Sequence, residues 1–171
     1  EFRRVLFRSW RFFRHPYFAY EVFAIRPHEG SSDTAIIVLR EDTSDEGLRI
    51  LHVVDLYGDA GALSAALKFA QDEAKRRQAA ALDCYGTFAE LQARILTAGW
   101  FSTLDEDFLS FPHLFHPTEL RTPASTSMVI WARNADVEIF DFSRLHVSKA
   151  DADLDRPTMA VLHRGATGEE K

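Results

Sequence analysis

The sequence predicts a mixed α/β (α+β) fold, and three observations predict it. Three short segments rich in β-branched and aromatic residues follow one another with brief turns between them, at residues 17–25, 34–40 and 48–56. The apolar spacing then becomes helical from Asp59 to about Gln78. A further strand, helix and strand follow at residues 80–85, 88–98 and 100–104. Close antiparallel neighbours followed by a strand–helix–strand unit give a sheet that is antiparallel first and parallel later.

Each element has a local cause. Residues 27–33, with Pro27, Gly30 and two serines, make a turn before the apolar run at 34–40, the mark of a strand covered on both faces. Residues 41–47 are a polar hairpin loop leading into LRILHVVDL. In the first helix Leu63, Ala66, Leu67, Ala70 and Ala74 share one face, Gly58 or Asp59 is placed to cap it, and Lys75, Arg76 and Arg77 complement its C-terminal end. In the second, Phe88, Leu91, Ile95 and Ala98 line one face and Gly99 is the residue after the cap. Pro112 and Pro117 mark an irregular loop, residues 128–133 read as a strand, residues 136–142 as helical or extended, and residues 145–149 as a short strand.

The first nine residues, EFRRVLFRS, back-translate without a mismatch to GAGTTCAGACGTGTGCTCTTCCGATCT, which resembles a common short-read sequencing adapter. Residues 1–9 are therefore expected to be an artefact, with the natural N-terminus missing. Residues 10–158 are read as one domain and residues 159–171 as a flexible tail. Without the first nine, Lys plus Arg falls from 20 to 17, Asp plus Glu from 26 to 25, and the net charge from −6 to −8. An acidic chain without a basic run is a poor ligand for a phosphate backbone, so nucleic-acid binding is not expected. No apolar run approaches the roughly 18 residues of a membrane span. A single Cys84 leaves no internal disulfide and no cysteine-based zinc site, and fits the reducing cytoplasm.

The element order is similar to that of the GNAT acyl-CoA N-acyltransferases from their second strand onward. The segment Asp55-Leu56-Tyr57-Gly58-Asp59-Ala60 resembles their pyrophosphate-binding pattern at Gly58 and Ala60 and departs from it at Asp55. Gly99-Trp100 resembles the Gly-Phe pair that ends a later helix. Trp10-Arg11, His15-Pro16-Tyr17, VVDLYGD, FPHLFHP and the ending Asp151-Ala152-Asp153-Leu154-Asp155-Arg156-Pro157 resemble an uncharacterised bacterial GNAT-like group associated with surface polysaccharide synthesis and distantly similar to Fem-type peptidyltransferases.

The resemblance implies a GNAT-like mixed sheet with helices on both faces, lacking its N-terminal strand and helices. It implies acetyl-CoA or another acyl-CoA as co-substrate, a small amine acceptor such as an amino sugar, and no metal. The CoA diphosphate would meet Leu56, Tyr57, Gly58, Asp59, Ala60, Gly61 and Ala62, where small residues open a helix whose N–H groups attract an anion. Asp55 and Asp59 bring negative charge to that place, and an ordinary capped turn is the alternative. A general base to neutralise the amine is sought on the third strand, at His52 or Asp55, which strict alternation would put on opposite faces. A core histidine held by hydrogen bonds is the competing reading for His52. The tyrosine that reprotonates the leaving thiolate in the family falls at Ile95 here, leaving Tyr85 as substitute.

Asp151, Asp153, Asp155 and Arg156 are the candidate acceptor-binding cluster. Their spacing opens a calcium loop, but Arg156 stands where Gly is needed and Leu162 where Glu is needed. His113 and His116 are read as loop residues, and Trp10, Arg11, Arg14, His15 and Tyr17 as a packed helix end. Two other classes stay open: a non-catalytic GNAT-like module that binds a glycan precursor or a partner enzyme, favoured by Ile95 and Asp55, and a Fem-like aminoacyl transferase, disfavoured by the charge. Acyl-CoA binding requires the strands at 48–56 and 80–85 to splay, and continuous pairing with Asp55 in the helix entrance would defeat it.

Overall fold

A computed structural model describes residues 10–43, 47–102 and 141–151 of the chain. The helical turn α1, residues 10–13, leads to β1 (Glu21–Ile25), β2 (Ala35–Thr43) and β3 (Arg49–Gly58). Helix α2 (Ala60–Arg76), β4 (Ala81–Cys84) and α3 (Ala89–Thr97) follow, and a 3-10 turn occupies Phe142–Arg144. The sheet order is β1-β2-β3-β4. The first two pairings are antiparallel and the last, across the α2 crossover, is parallel. This is the mixed sheet that the sequence predicts.

Helix α2 lies on one face of the sheet. Its five predicted positions, Leu63, Ala66, Leu67, Ala70 and Ala74, are all buried, together with Ala62. They pack with Ala35, Ile37 and Leu39 of β2, Leu51, Val53 and Leu56 of β3, and Leu91 of α3. Burying a leucine such as Leu67 contributes about 2 kcal/mol relative to leaving it in water. On the opposite face Phe12 of the turn α1 packs with Val38, Val54 and Ala150.

Both long helices end in the same way. The N–H groups of Gln78 and Ala79 reach Lys75 O and Ala74 O at the end of α2, and those of Gly99 and Trp100 reach Leu96 O and Ile95 O at the end of α3. That motif needs a left-handed residue after the cap. Gly99 supplies it at φ 83°, as predicted, whereas at α2 the position is Gln78, at φ 55°.

Three local expectations are corrected. The first strand begins at Glu21 rather than Tyr17, because residues 15–20 fold around the His15 ring, whose Nδ1 accepts the N–H groups of Tyr17 and Phe18 at 3.2 and 3.1 Å. Residues 100–102 form no strand. Asp59 precedes α2, but its side chain does not cap the helix. Its Oδ2 accepts the N–H of Thr34 at 2.8 Å and ties the helix start to β2 instead.

The decisive correction lies in β3. Leu39 pairs with Val53 and Val38 pairs with Asp55, so Val54 is an extra residue, a β-bulge. The bulge resets the two-residue alternation. Leu51, Val53 and Leu56 face α2, while His52, Val54 and Asp55 all lie on the other face. His52 and Asp55 therefore share a face, contrary to the strict alternation expected of the sequence.

Candidate functional site

That shared face carries two polar groups. The first begins with Arg40, a charged side chain closing an apolar strand and only 2 % exposed. Its guanidinium lies over the Phe18 ring, 4.6 Å from the centroid, and donates to Asp42 Oδ2 at 2.7 Å. His52 pairs with Arg40 across the ladder. Its Nε2 lies 3.2 Å from Asp42 Oδ2, at ion-pair distance but poorly aligned for a hydrogen bond. Its Nδ1 lies 2.7 Å from Oδ1 of Asp83, its register partner on β4. Lys149 completes the group, with Nζ 2.5 Å from Asp83 Oδ1 and 3.0 Å from His52 Nδ1. A charged residue in a buried strand requires a partner, and here each cation meets an aspartate.

The electrostatics follow from that pairing. Burial pushes the Asp42 carboxyl up, but the neighbouring His52 ring and the Arg40 charge outweigh it and hold the group at about 2. Burial also acts upward on Asp83, and the Lys149 ammonium and the His52 ring carry it below its ordinary value. A depressed carboxylate contributes stability above its unfolded value, and that contribution is lost as pH falls through the folded value. We expect the urea midpoint to drop between about pH 4 and pH 2, with Asp42 contributing on the order of 1–2 kcal/mol at neutral pH. Asp42→Asn should lower the midpoint at pH 7 and flatten the acid slope. An unchanged slope would place the acid transition elsewhere.

The second group stands beyond the bulge. Asp55 is 1 % exposed; its Oδ1 lies 3.2 Å from His146 Nε2, and its Oδ2 is buried without a hydrogen bond. β4 ends at the same level. β3 and β4 pair over four positions, from Ile50–Ala81 to Val53–Cys84, and from there to Gly58, among the described residues, β3 has β2 as its one strand partner. Residues 145–151 cross here. Ala150 N–H donates to Val54 O at 3.0 Å, Ser148 bridges to Gly86, and Val147 N–H donates to Thr87 Oγ1 at 3.1 Å. β4 is thus paired along its whole length and ends at Cys84, and residues 148–150 lie between the chain that leaves it and the continuing β3.

The predicted CoA-binding run divides between core and surface. Leu56 and Ala62 are buried among the core residues, while Tyr57, Gly58, Asp59, Ala60 and Gly61 are exposed. Gly58 has φ 147°, and a Cβ there would overlap Thr34 O and the Cα of Ala35, so this glycine serves strand packing. A Cβ on Gly61 would meet only the carboxylate of Asp33. Asp55 is not in the helix entrance; Asp33 and Asp59 are the acidic residues beside it.

Of the other candidates, Tyr85 follows β4 with an exposed ring. Burial pushes the Cys84 thiol up to about 12, as suits an inert core cysteine. Asp151 turns its Oδ2 to the N–H of Ser148 at 3.0 Å and closes a local turn. Asp153, Asp155, Arg156, His113 and His116 lie outside the described residues. Among the described residues no three His, Cys, Asp or Glu side chains converge as metal ligands, and no helix is long and apolar enough to cross a membrane.

Sequence reasoning missed Lys149 and His146. Their partners are 97 and 91 positions away, and the only local signal was a polar residue inside an otherwise strand-like segment. Compared with family models, characterised proteins and solved structures, the chain gives no significant match to any of the three. Fold and site together define a mixed α+β protein with a four-stranded sheet in which β3 runs on past the end of β4.

Proposed function

We propose that this chain is the sheet-bearing part of an acyl-CoA-dependent N-acyltransferase of a small amine, with an amino sugar of bacterial surface polysaccharide as the expected acceptor in the cytoplasm. The observation that carries the reading is that β3 runs on past the end of β4 at Val53–Cys84, with buried Asp55 on the strand that continues. An extended pantetheine arm would bond to the edge of β3 beyond β4, in the place that residues 148–150 occupy. The diphosphate would lie at the start of α2, where Ala60 and Gly61 are small and exposed and Asp59 makes no side-chain cap.

The reading requires the crossing at residues 148–150 to yield, since Ala150 holds Val54 O. That crossing and the acidic pair Asp33 and Asp59 favour a second reading, a non-catalytic module of the same architecture that binds a glycan precursor or partner enzyme. Calorimetry with CoA and acetyl-CoA on the full chain decides between them. We expect micromolar binding that Gly61→Leu weakens about tenfold by filling the anion's place, a difference of about 1.4 kcal/mol. Folded protein that binds neither ligand would overturn the acyl-CoA reading and leave the binding module.

A further inference from the structure

We propose that His146, held by Asp55, is the proton acceptor of this site, a role that rests on the acyl-transfer reading above. Against a carboxylate oxygen the ring nitrogen is the donor, so His146 Nε2 carries the hydrogen and Nδ1 holds the lone pair. Nδ1 makes no hydrogen bond among the described residues, and the side chain is 28 % exposed. The neighbouring histidines differ in this respect. His52 is fully buried between two aspartates, and His15 already spends Nδ1 on two backbone N–H groups.

The ring is also anchored. Thr87 Oγ1 donates to Leu145 O and accepts the Val147 N–H, so the residues on either side of His146 are fixed to the segment after β4. A general base must be both positioned and open to the proton it takes, and His146 is the described histidine that combines a buried carboxylate partner with an unengaged nitrogen. In the transfer, the acceptor nitrogen bonds to the acyl carbon and the C–S bond breaks. The proton leaving nitrogen passes to His146 Nδ1, and the imidazolium then returns it to the departing thiolate or to water. Asp55 is a positioning residue, fixing the tautomer and stabilising the imidazolium.

The test uses p-nitrophenyl acetate, which needs no CoA site; water takes the amine's place and p-nitrophenolate leaves. The full wild-type chain, His146→Gln and Asp55→Asn are compared. Glutamine keeps an N–H for Asp55 but has no basic nitrogen, so a merely structural role would survive it. We expect wild type to accelerate p-nitrophenolate release over buffer, and both variants to lose at least about tenfold of that rate at unchanged Tm. A wild-type rate in His146→Gln, or no acceleration by wild type, would overturn the proposal. If His146→Gln melts early, the wild type is treated with diethyl pyrocarbonate. A rate that falls in step with modification of His146, read by peptide mass spectrometry, supports the proposal; full modification with the rate retained overturns it. CoA calorimetry reports separately. Binding without dependence on His146 defeats the base alone, and a His146-dependent rate without CoA binding defeats the acyl-CoA reading alone.

Discussion

Lys149→Met is expected to lower the stability of the chain by about 3 kcal/mol, because removing one partner of a buried ion pair strands the charge it faced. Lys149 is 4 % exposed and its ammonium contacts both Asp83 and His52. Methionine fills the same volume, so the loss is electrostatic rather than a cavity. Asp83 is 28 % exposed and can regain some water, which places the effect at the low end of the range for such pairs. Urea unfolding at pH 7 measures it. The double variant Lys149→Met, Asp83→Leu should recover part of the loss, since replacing both partners removes the desolvated charge as well. A loss below about 0.5 kcal/mol in the single variant, the scale of an ordinary surface substitution, would show that the ammonium is solvated in the folded protein.

Gly58→Val carries the second large effect. The position combines a backbone angle of +147°, which side chains rarely adopt, with direct overlap on Thr34 O and Ala35 Cα. Backbone strain of that kind costs about 1–3 kcal/mol, and the overlap with main-chain atoms adds to it. We expect a loss of at least about 3 kcal/mol, corresponding to roughly 6–12 °C in Tm for a domain of this size. Gly61→Ala is the control. Its Cβ meets only the end of the Asp33 side chain, which can swing away, so a small change in Tm is expected. Equal melting temperatures for Gly58→Val and wild type would mean that the β3–α2 junction adopts another path. The comparison also determines how ligand binding is probed. Substitution at Gly58 would abolish binding by disrupting the fold, whereas Gly61 tests the surface.

The architecture was legible where local chemistry dictates it. Five apolar positions fixed the buried face of α2, and Gly99 fixed the end of α3, because both signals lie within a few residues of what they determine. The start of β1 was not legible, since an aromatic run reads as strand while His15 gathers the following N–H groups into a turn. The role of Asp59 was half legible. Its position as a cap followed from the helix pattern, but its bond to Thr34 depends on how β2 enters the sheet. The candidate site was least legible. His52 and Asp55 were found as polar residues on an apolar strand, yet their partners come from distant segments. The bulge that brings them to one face has no signature in a run of two valines.

That bulge makes β3 a strand with two phases joined at Val54. Up to Val53 the odd-numbered residues face α2; beyond Asp55 the even-numbered ones do. The bulge, and not the identity of the two valines, therefore keeps the Asp55 carboxylate out of the apolar layer beneath α2. Deleting Val54 would take out the bulge itself and leave Asp55 and Leu56 on the faces they hold now, whereas straightening the strand with every residue kept would turn Asp55 toward α2. The facing of the strand survives that deletion, and what is lost is the Val54 carbonyl that accepts the Ala150 N–H. Homologous chains that share this architecture are expected either to keep the extra residue as a bulge or to lack it and alternate plainly.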